Sequence, residues 1–201
     1  MVSGEDRSYS GSGASLKQPP KATRGSGPVQ VVLAAVFLIP LAIGVLLISN
    51  NSQSSVRADQ VSRDLASMYS QGVDFSKAAN RSIALQLLDS TMNGQGLIIL
   101  TRMRAVGEHD CESVGNDCVN AGYPVITQRI IIGDPNLRAS SLGTPHSVDH
   151  NTGEVLNWAR DTSARVIDPD ISLKPGESAV AAETYLTAPA SRGGVYARTV
   201  F

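Results

Sequence analysis

The sequence predicts an α+β protein: a disordered N-terminal tail, a long N-terminal helix whose first half is transmembrane, then a small antiparallel β-sheet with a disulfide-stapled hairpin. Three observations lead there. Apolar residues are scarce over 1–28 and almost unbroken over the next twenty positions. They then recur at helical spacing towards Met92, and beyond it short apolar runs punctuated by Gly and Pro have the character of strands. The 201 residues, 42% of them hydrophobic, suit one medium-sized fold and exclude a large multidomain enzyme. With 17 Lys+Arg against 18 Asp+Glu, no basic excess exists to displace the counterions of a nucleic acid.

Residues 1–28 contain fourteen Gly, Ser or Pro and bury too little apolar surface to offset the entropy of ordering them, so a disordered cytoplasmic tail is expected. From Val29 to Ile48 the chain reads VQVVLAAVFLIPLAIGVLLI, with Gln30 the only polar side chain. As a helix this run spans about 30 Å, the thickness of a hydrocarbon core, so 29–49 is read as transmembrane. A cleaved signal peptide is the competing reading, but its apolar region is usually shorter and ends at small residues, unlike Ser49-Asn50-Asn51-Ser52-Gln53. Pro40 and Gly44 are both tolerated in membrane helices. Lys17, Lys21 and Arg24 precede the run without an acid among them, whereas Arg57 and Arg63 follow it interleaved with Asp59 and Asp64. That bias puts the N-terminus in the cytoplasm and 50–201 outside.

Val56 to Met92 continues as helix with a break at Gly72, giving an extracytoplasmic helical stalk over 50–93. Val61, Leu65, Met68 and Tyr69 form its first apolar stripe, and Ile83, Leu85, Leu87 and Leu88 its second. Asn93-Gly94-Gln95-Gly96 ends it. An antiparallel sheet domain is expected over 94–201. Leu97–Met103 and Val125–Ile132 predict two strands of a hairpin, the second ended by Gly133-Asp134-Pro135. The connection between them carries Cys111 and Cys118, the chain's two cysteines. A pair so close suits a disulfide in an oxidising compartment, contributing about 2–3 kcal/mol on the chain-entropy model; two unrelated thiols are the alternative. Residues 134–170 form an irregular excursion, with a short helical turn near Glu154 to Arg160. Lys174-Pro175-Gly176-Glu177 predicts a type II turn, and Ser178–Leu186 and Gly194–Phe201 two closing strands.

Chemistry is sparse. His146-Ser147-Val148-Asp149-His150 holds two imidazoles and a carboxylate, but on a loop it has no enforced geometry and no full ligand set; a solvated polar loop is the expectation. His109-Asp110 beside Glu112 and Asp117 lacks the oxygen spacing of a calcium loop. No nucleophile elbow, phosphate loop or dinucleotide fingerprint is present. Trp158 is read as a core anchor. No catalytic residue, cofactor or metal is therefore expected, and the protein is not read as an enzyme.

Arg24-Gly25-Ser26-Gly27-Pro28-Val29-Gln30-Val31, running straight into the apolar helix, resembles the start of TadE/TadG-like proteins, the minor pilins or pseudopilins of tight-adherence (type IVc) pili. The resemblance implies prepilin-peptidase cleavage after Gly25, which makes Gln30 the fifth residue of the mature chain, where the family carries a glutamate. Gln30 keeps hydrogen-bonding capacity without the charge, and Val31 stands where an aromatic residue is frequent. Lys174-Pro175-Gly176-Glu177 followed by Val180-Ala181-Ala182-Glu183-Thr184-Tyr185-Leu186 resembles the family's late turn and hydrophobic-Glu-x-Tyr strand. The implied function is a single-pass minor pilin or pilus-assembly component of the bacterial inner membrane, with its C-terminal domain periplasmic or extracellular. Its partners are then membrane lipid and other pilin-like subunits, acting by protein–protein packing. A reading from another class is a generic single-pass envelope protein with an extracytoplasmic binding module unrelated to pili. A third is an exported hydrolase using His146, Asp149 and His150.

Overall fold

Helix α1 (Gly27–Ser70) begins where the Gly, Ser and Pro of the tail give way to Val and Leu. The computed structural model describes residues 27–92, 96–112, 114–187 and 194–201; the tail expected over 1–28 falls almost wholly outside them. The chain divides into two compact units, Met1–Ile43 and Gly44–Phe201. In the described part of the first, Val31, Val32, Leu33, Val36, Phe37, Leu38, Ile39, Leu41 and Ile43 are all exposed. Such consecutive positions point to every side of a helix, so this segment has no buried face. Among the described residues, no helix is long and apolar enough to cross a membrane. Side chains 27–30, 47 and 50–51 are not described, which leaves 31–46 as the longest described apolar stretch.

In the second unit the pattern changes. From Ala58 onward one face of α1 is buried: Ala58, Val61, Ser62, Leu65, Ala66 and Tyr69 follow the i, i+3, i+4 spacing of a helix lying on a surface. Arg63 and Asp59 pair at 3.0 Å on the outer side. The helix stops because Gly72 takes φ +90°, and the Val73 N–H donates back to the Met68 carbonyl at 3.1 Å. Asp74 then accepts from the backbone N–H and hydroxyl of Ser76, shaping the turn into α2 (Ala78–Met92). Helix α2 buries Ala84 and Leu88, while Ile83 and Leu85 remain exposed.

Four strands follow: β1 (Gly96–Ala105), β2 (Pro124–Gly133), β3 (Ser178–Thr187) and β4 (Gly194–Val200). They form one antiparallel sheet in the order β2-β1-β3-β4. Both expected hairpin strands and both closing strands are present, their ends within two residues of the expected ones. The period of two sends Ile98, Leu100, Ile130, Ile132, Val180, Ala182 and Leu186 to one face, where they pack with the helical residues from Ala58 to Leu88 in a single core. The stalk expected over 50–93 thus lies against the sheet from Ala58 on. A register shift between Arg102 and Met103 resets the alternation along β2, so that Ile126 joins Met103 on the opposite face.

That opposite face is covered by residues 134–173. Leu142, Val155, Ala164, Trp158, Ile171 and Leu173 pack on Met103, Val125, Ile126, Ala179 and Ala181. The expected helical turn near Glu154 to Arg160 is met only in its second half, where the Arg160 and Asp161 N–H groups donate to the Asn157 carbonyl at 2.8 and 3.0 Å. Its first half is corrected: Glu154 and Val155 form isolated β-bridges with Gln128 and Val148, and a 3-10 turn follows at Thr162–Ala164. The reason is the outer edge of β2, whose backbone groups need partners: the Val155 N–H donates to the Thr127 carbonyl at 2.9 Å and the Arg129 N–H to the Gly153 carbonyl at 2.6 Å. The turn at Lys174–Glu177 forms with Gly176 at φ +81° and the Glu177 N–H donating to the Lys174 carbonyl at 2.8 Å, as a type II turn requires.

Gly133 closes β2 with φ +96°, and a Cβ there would collide with the Gly96 carbonyl oxygen. Gly176 has a similar φ but nothing within 4 Å of its Cβ position. Gly133→Ala is therefore expected to cost about 3 kcal/mol or more, from backbone strain plus the clash, against about 1 kcal/mol for Gly176→Ala. Urea midpoints of the two variants check this; equal shifts contradict the close approach of β1 and β2 at this point.

Candidate functional site

Two charged residues interrupt otherwise apolar strands: Arg129 within Val125–Ile132, and Glu183 within Val180–Leu186. The strand alternation turns both away from the helices, and both are buried, Arg129 with 6% exposure and Glu183 with 2%. Burial of a carboxylate demands compensating donors. Glu183 Oε1 accepts from the Ser141 N–H at 2.8 Å, the Ser141 hydroxyl at 2.9 Å and the Tyr196 hydroxyl at 2.7 Å; Oε2 accepts from the Ser140 hydroxyl. Ser140 also accepts from Arg129 Nη2 at 3.2 Å, linking the two buried charges through one hydroxyl. Arg129 Nη1 donates to the Gly143 carbonyl. Arg198, paired with Asp168, donates to Ser141 Oγ at 3.1 Å.

Burial pushes the Arg129 guanidinium pKa down to about 10, against the attraction of Glu183. It pushes the Tyr196 hydroxyl up to about 12, with the Glu183 carboxylate adding to the rise. Arg138 stacks over the Tyr196 ring, 4.0 Å from its centroid. The network pins residues 138–143 to the sheet with polar contacts, beside the apolar contacts of the same excursion.

Next to the network opens a cleft of about 490 Å³. Leu97, Ile99 and Ile131 of the sheet line it, with Pro135 and Pro145 from the excursion. Arg81 of α2, Arg129, Arg138 and His150 add cationic or titratable groups, and Asp149 one carboxylate. Asp149 Oδ1 accepts from the N–H groups of Thr152 and Asn151 at 2.9 and 2.8 Å, and these bonds hold its carboxyl below the ordinary carboxylate range. It is thus the keystone of a turn.

The residues singled out in the sequence are scattered. Cys111 and Cys118 form a disulfide, joining α3 (Glu108–Glu112) to the end of the 3-10 turn at Gly115–Asp117 within the β1–β2 connection. Beside that connection, buried Asn120 donates to the carbonyls of Trp158 and Asp161 at 2.6 and 2.7 Å, and Trp158 packs in the second core as expected. Asp110 pairs with Arg104 at 3.2 Å and accepts from the Gly107 N–H, while His109 and Glu112 meet at 2.9 Å in the open. His146 is exposed and tied by its N–H to the Ser163 hydroxyl, whereas Asp149 and His150 line the cleft. Among the described residues, no group of three or more His, Cys, Asp or Glu side chains is placed to hold a metal ion. Gly25 lies outside the described residues; Gln30 is within α1, its side chain not described.

No protein-family model matches this chain. No curated protein and no solved structure is significantly similar to it. The roles of network and cleft must follow from their own chemistry. The sequence did signal the network, in the two charges set inside apolar strands; Ser140, Ser141, Arg138 and Tyr196 carried no such mark.

The raised Tyr196 pKa has a definite sign. The fold favours the protonated phenol, so its stabilisation is complete below pH 10 and is lost as pH rises from about 10 through about 12. Tyr69, buried and donating to Gln128 at 2.7 Å, is also raised to about 12 and adds to the same decline. Tyr196→Phe is expected to lower stability near neutrality, with the gap to wild type narrowing between pH 10 and 12. Urea denaturation across that range checks it; a gap independent of pH refutes the desolvated phenol.

Proposed function

We propose that this protein is a single-pass component of the bacterial cell envelope, a TadE-like minor pilin or pilus-assembly protein that acts by protein–protein packing and not by catalysis. In this reading 29–49 is embedded in the inner membrane, the N-terminus is cytoplasmic, and the sheet with its helices lies outside. The observation that carries it is the exposure of the apolar run: its large apolar side chains from Val31 to Ile48 with described burial are each 52–74% exposed. Soluble monomers rarely expose apolar patches beyond a few hundred Å². Lipid, or the apolar helices of sister subunits within lipid, removes that cost on every side at once.

Two further features support this placement. Lys17, Lys21 and Arg24 flank the run on one side without acids, and the Cys111–Cys118 disulfide suits an oxidising compartment. The pilus assignment rests on the resemblance around Gly25 and Gln30. An amide near the start of a membrane helix can hydrogen-bond a neighbouring subunit's terminal amine and help set register, in the place of a carboxylate. The cleft favours a second reading, an envelope protein with a binding module unrelated to pili.

The protein is expected in the membrane fraction, resistant to alkaline carbonate and released by detergent. The pair Leu38→Arg and Ile43→Arg, each costing about 2.5–3.5 kcal/mol at the centre of a membrane helix, is expected to shift it to the soluble fraction. Wild type recovered as a soluble monomer without detergent overturns the membrane assignment. Separately, deletion of the gene is expected to abolish surface pili, and intact mass to show cleavage after Gly25. Normal piliation in the deletant removes the pilus reading and leaves the generic envelope protein.

A further inference from the structure

Three arginines converge on one cleft, and among the described residues none of the three is within ion-pair distance of a carboxylate. Arg81 comes from α2, Arg129 from β2 and Arg138 from the excursion, so the convergence is tertiary and not the result of a local basic run. Arg129 is nearly fully buried. Its two Nη groups are bonded to Gly143 and Ser140, but its Nε–H is buried with no acceptor. The Nε–H of Arg81 is in the same condition. An unmet buried donor on a charged group is costly, and both guanidiniums belong to residues that line one cavity without a carboxylate partner, where an anion from outside the chain is favourable.

Two carboxylates lie near the three arginines, and both are held by other donors. Asp149 lines the cleft, but its Oδ1 already accepts two backbone N–H groups. Glu183 lies behind Ser140, its carboxylate engaged by two serines and Tyr196. His150 adds an imidazole to the lining. The rest of the wall is apolar: Leu97, Ile99, Ile131, Pro135 and Pro145. A volume near 490 Å³ falls within the range of small-molecule sites.

We infer that this cleft binds a carboxylate carried on an apolar group, with the carboxylate set among Arg81, Arg129 and Arg138 and the apolar part lying on Leu97, Ile99 and Ile131. Guanidinium groups match a carboxylate in plane and charge, and the apolar floor rejects a small hydrated anion in favour of an organic acid. The same chemistry is supplied by a free organic acid or by the C-terminus of a polypeptide. The inference does not depend on the membrane or pilus reading.

The test uses the full chain, uniformly ¹⁵N-labelled, in zwitterionic lipid nanodiscs. Benzoate and its uncharged counterpart benzamide are titrated in parallel, followed by acetyl-Ala-Phe and its C-terminal amide. Benzoate is expected to shift the Arg129 Nε–H resonance and the backbone resonances of Ile131 and His150, and benzamide to leave them in place. Arg81→Gln and Arg138→Gln, both partly exposed positions that leave the buried Arg129 intact, are each expected to weaken benzoate about fivefold or more. Tighter binding of acetyl-Ala-Phe than of benzoate, lost in its amide, assigns the site to a polypeptide terminus; the reverse order assigns it to a free acid. Equal shifts from benzoate and benzamide, shifts confined to other parts of the protein, or unchanged affinity in both variants overturns the inference.

Discussion

A carboxylate buried on a sheet face must be given donors by whatever covers it, and Glu183 sets that condition for half of this fold. The cover is not a helix. Residues 134–173 have no long element of their own, so they cannot satisfy their backbone internally or bury a regular stripe. They are held by two sets of contacts. Apolar side chains such as Leu142 and Trp158 pack on one end of the face, and the Ser140–Ser141 pair clasps Glu183 at the other. Loss of the carboxylate leaves two hydroxyls, a backbone N–H and a phenol short of their acceptor, in a place where water has little access. The geometry therefore explains why an acid is kept in a strand that otherwise reads Val-Ala-Ala-x-Thr-Tyr-Leu.

The two sheet faces illustrate different solutions to one problem. On the helix side, a stripe of Ala, Val and Leu on α1, ended by Tyr69, meets a stripe of Ile, Leu and Ala on the strands. Ser62 is a polar insertion on the helix, donating to the Ala182 carbonyl at 2.7 Å. On the other side the covering segment also serves the edge of β2, through the bridges at Gln128–Glu154 and Val125–Arg165. An exposed edge is a template for unwanted pairing, and the excursion hides it along the first half of the strand. A segment without regular structure thus does the work of a helix layer and of an edge guard, and the cleft opens where its cover is incomplete.

What the sequence disclosed follows this division. The strands and the helix were legible because each has a period, two or 3.6, that a single face imposes, and because Gly72, Gly133 and Gly176 mark turns that need positive φ. The disulfide was legible from the spacing of Cys111 and Cys118 together with the oxidising compartment expected for that part of the chain. The excursion was not, since its contacts answer to a surface assembled from three distant strands. Glu154 and Val155 look like a helical turn in isolation, yet an unpaired strand edge outweighs a weak local preference. The network was half legible: a charge inside an apolar strand is conspicuous, whereas a serine in a loop is not. The histidines drew attention as the conspicuous chemistry in the chain, and the structure gives them less to do than the arginines.

Helix α1 raises the remaining question, how one helix serves two different surroundings. Its apolar run ends at Ile48, and its first residue buried against the sheet is Ala58. Between them lie Ser49, Asn50, Asn51, Ser52 and Gln53, then Arg57, which have no place in hydrocarbon and little in a protein core. At about 1.5 Å per residue that interval is about 15 Å long, about twice the headgroup layer on one side of a bilayer. If the run is held in lipid, the polar interval falls at the interface and the first sheet contact just beyond it, where water is again the solvent. Each third of the helix then meets the medium its side chains require. A soluble reading must instead find a protein surface to enclose the run on all sides.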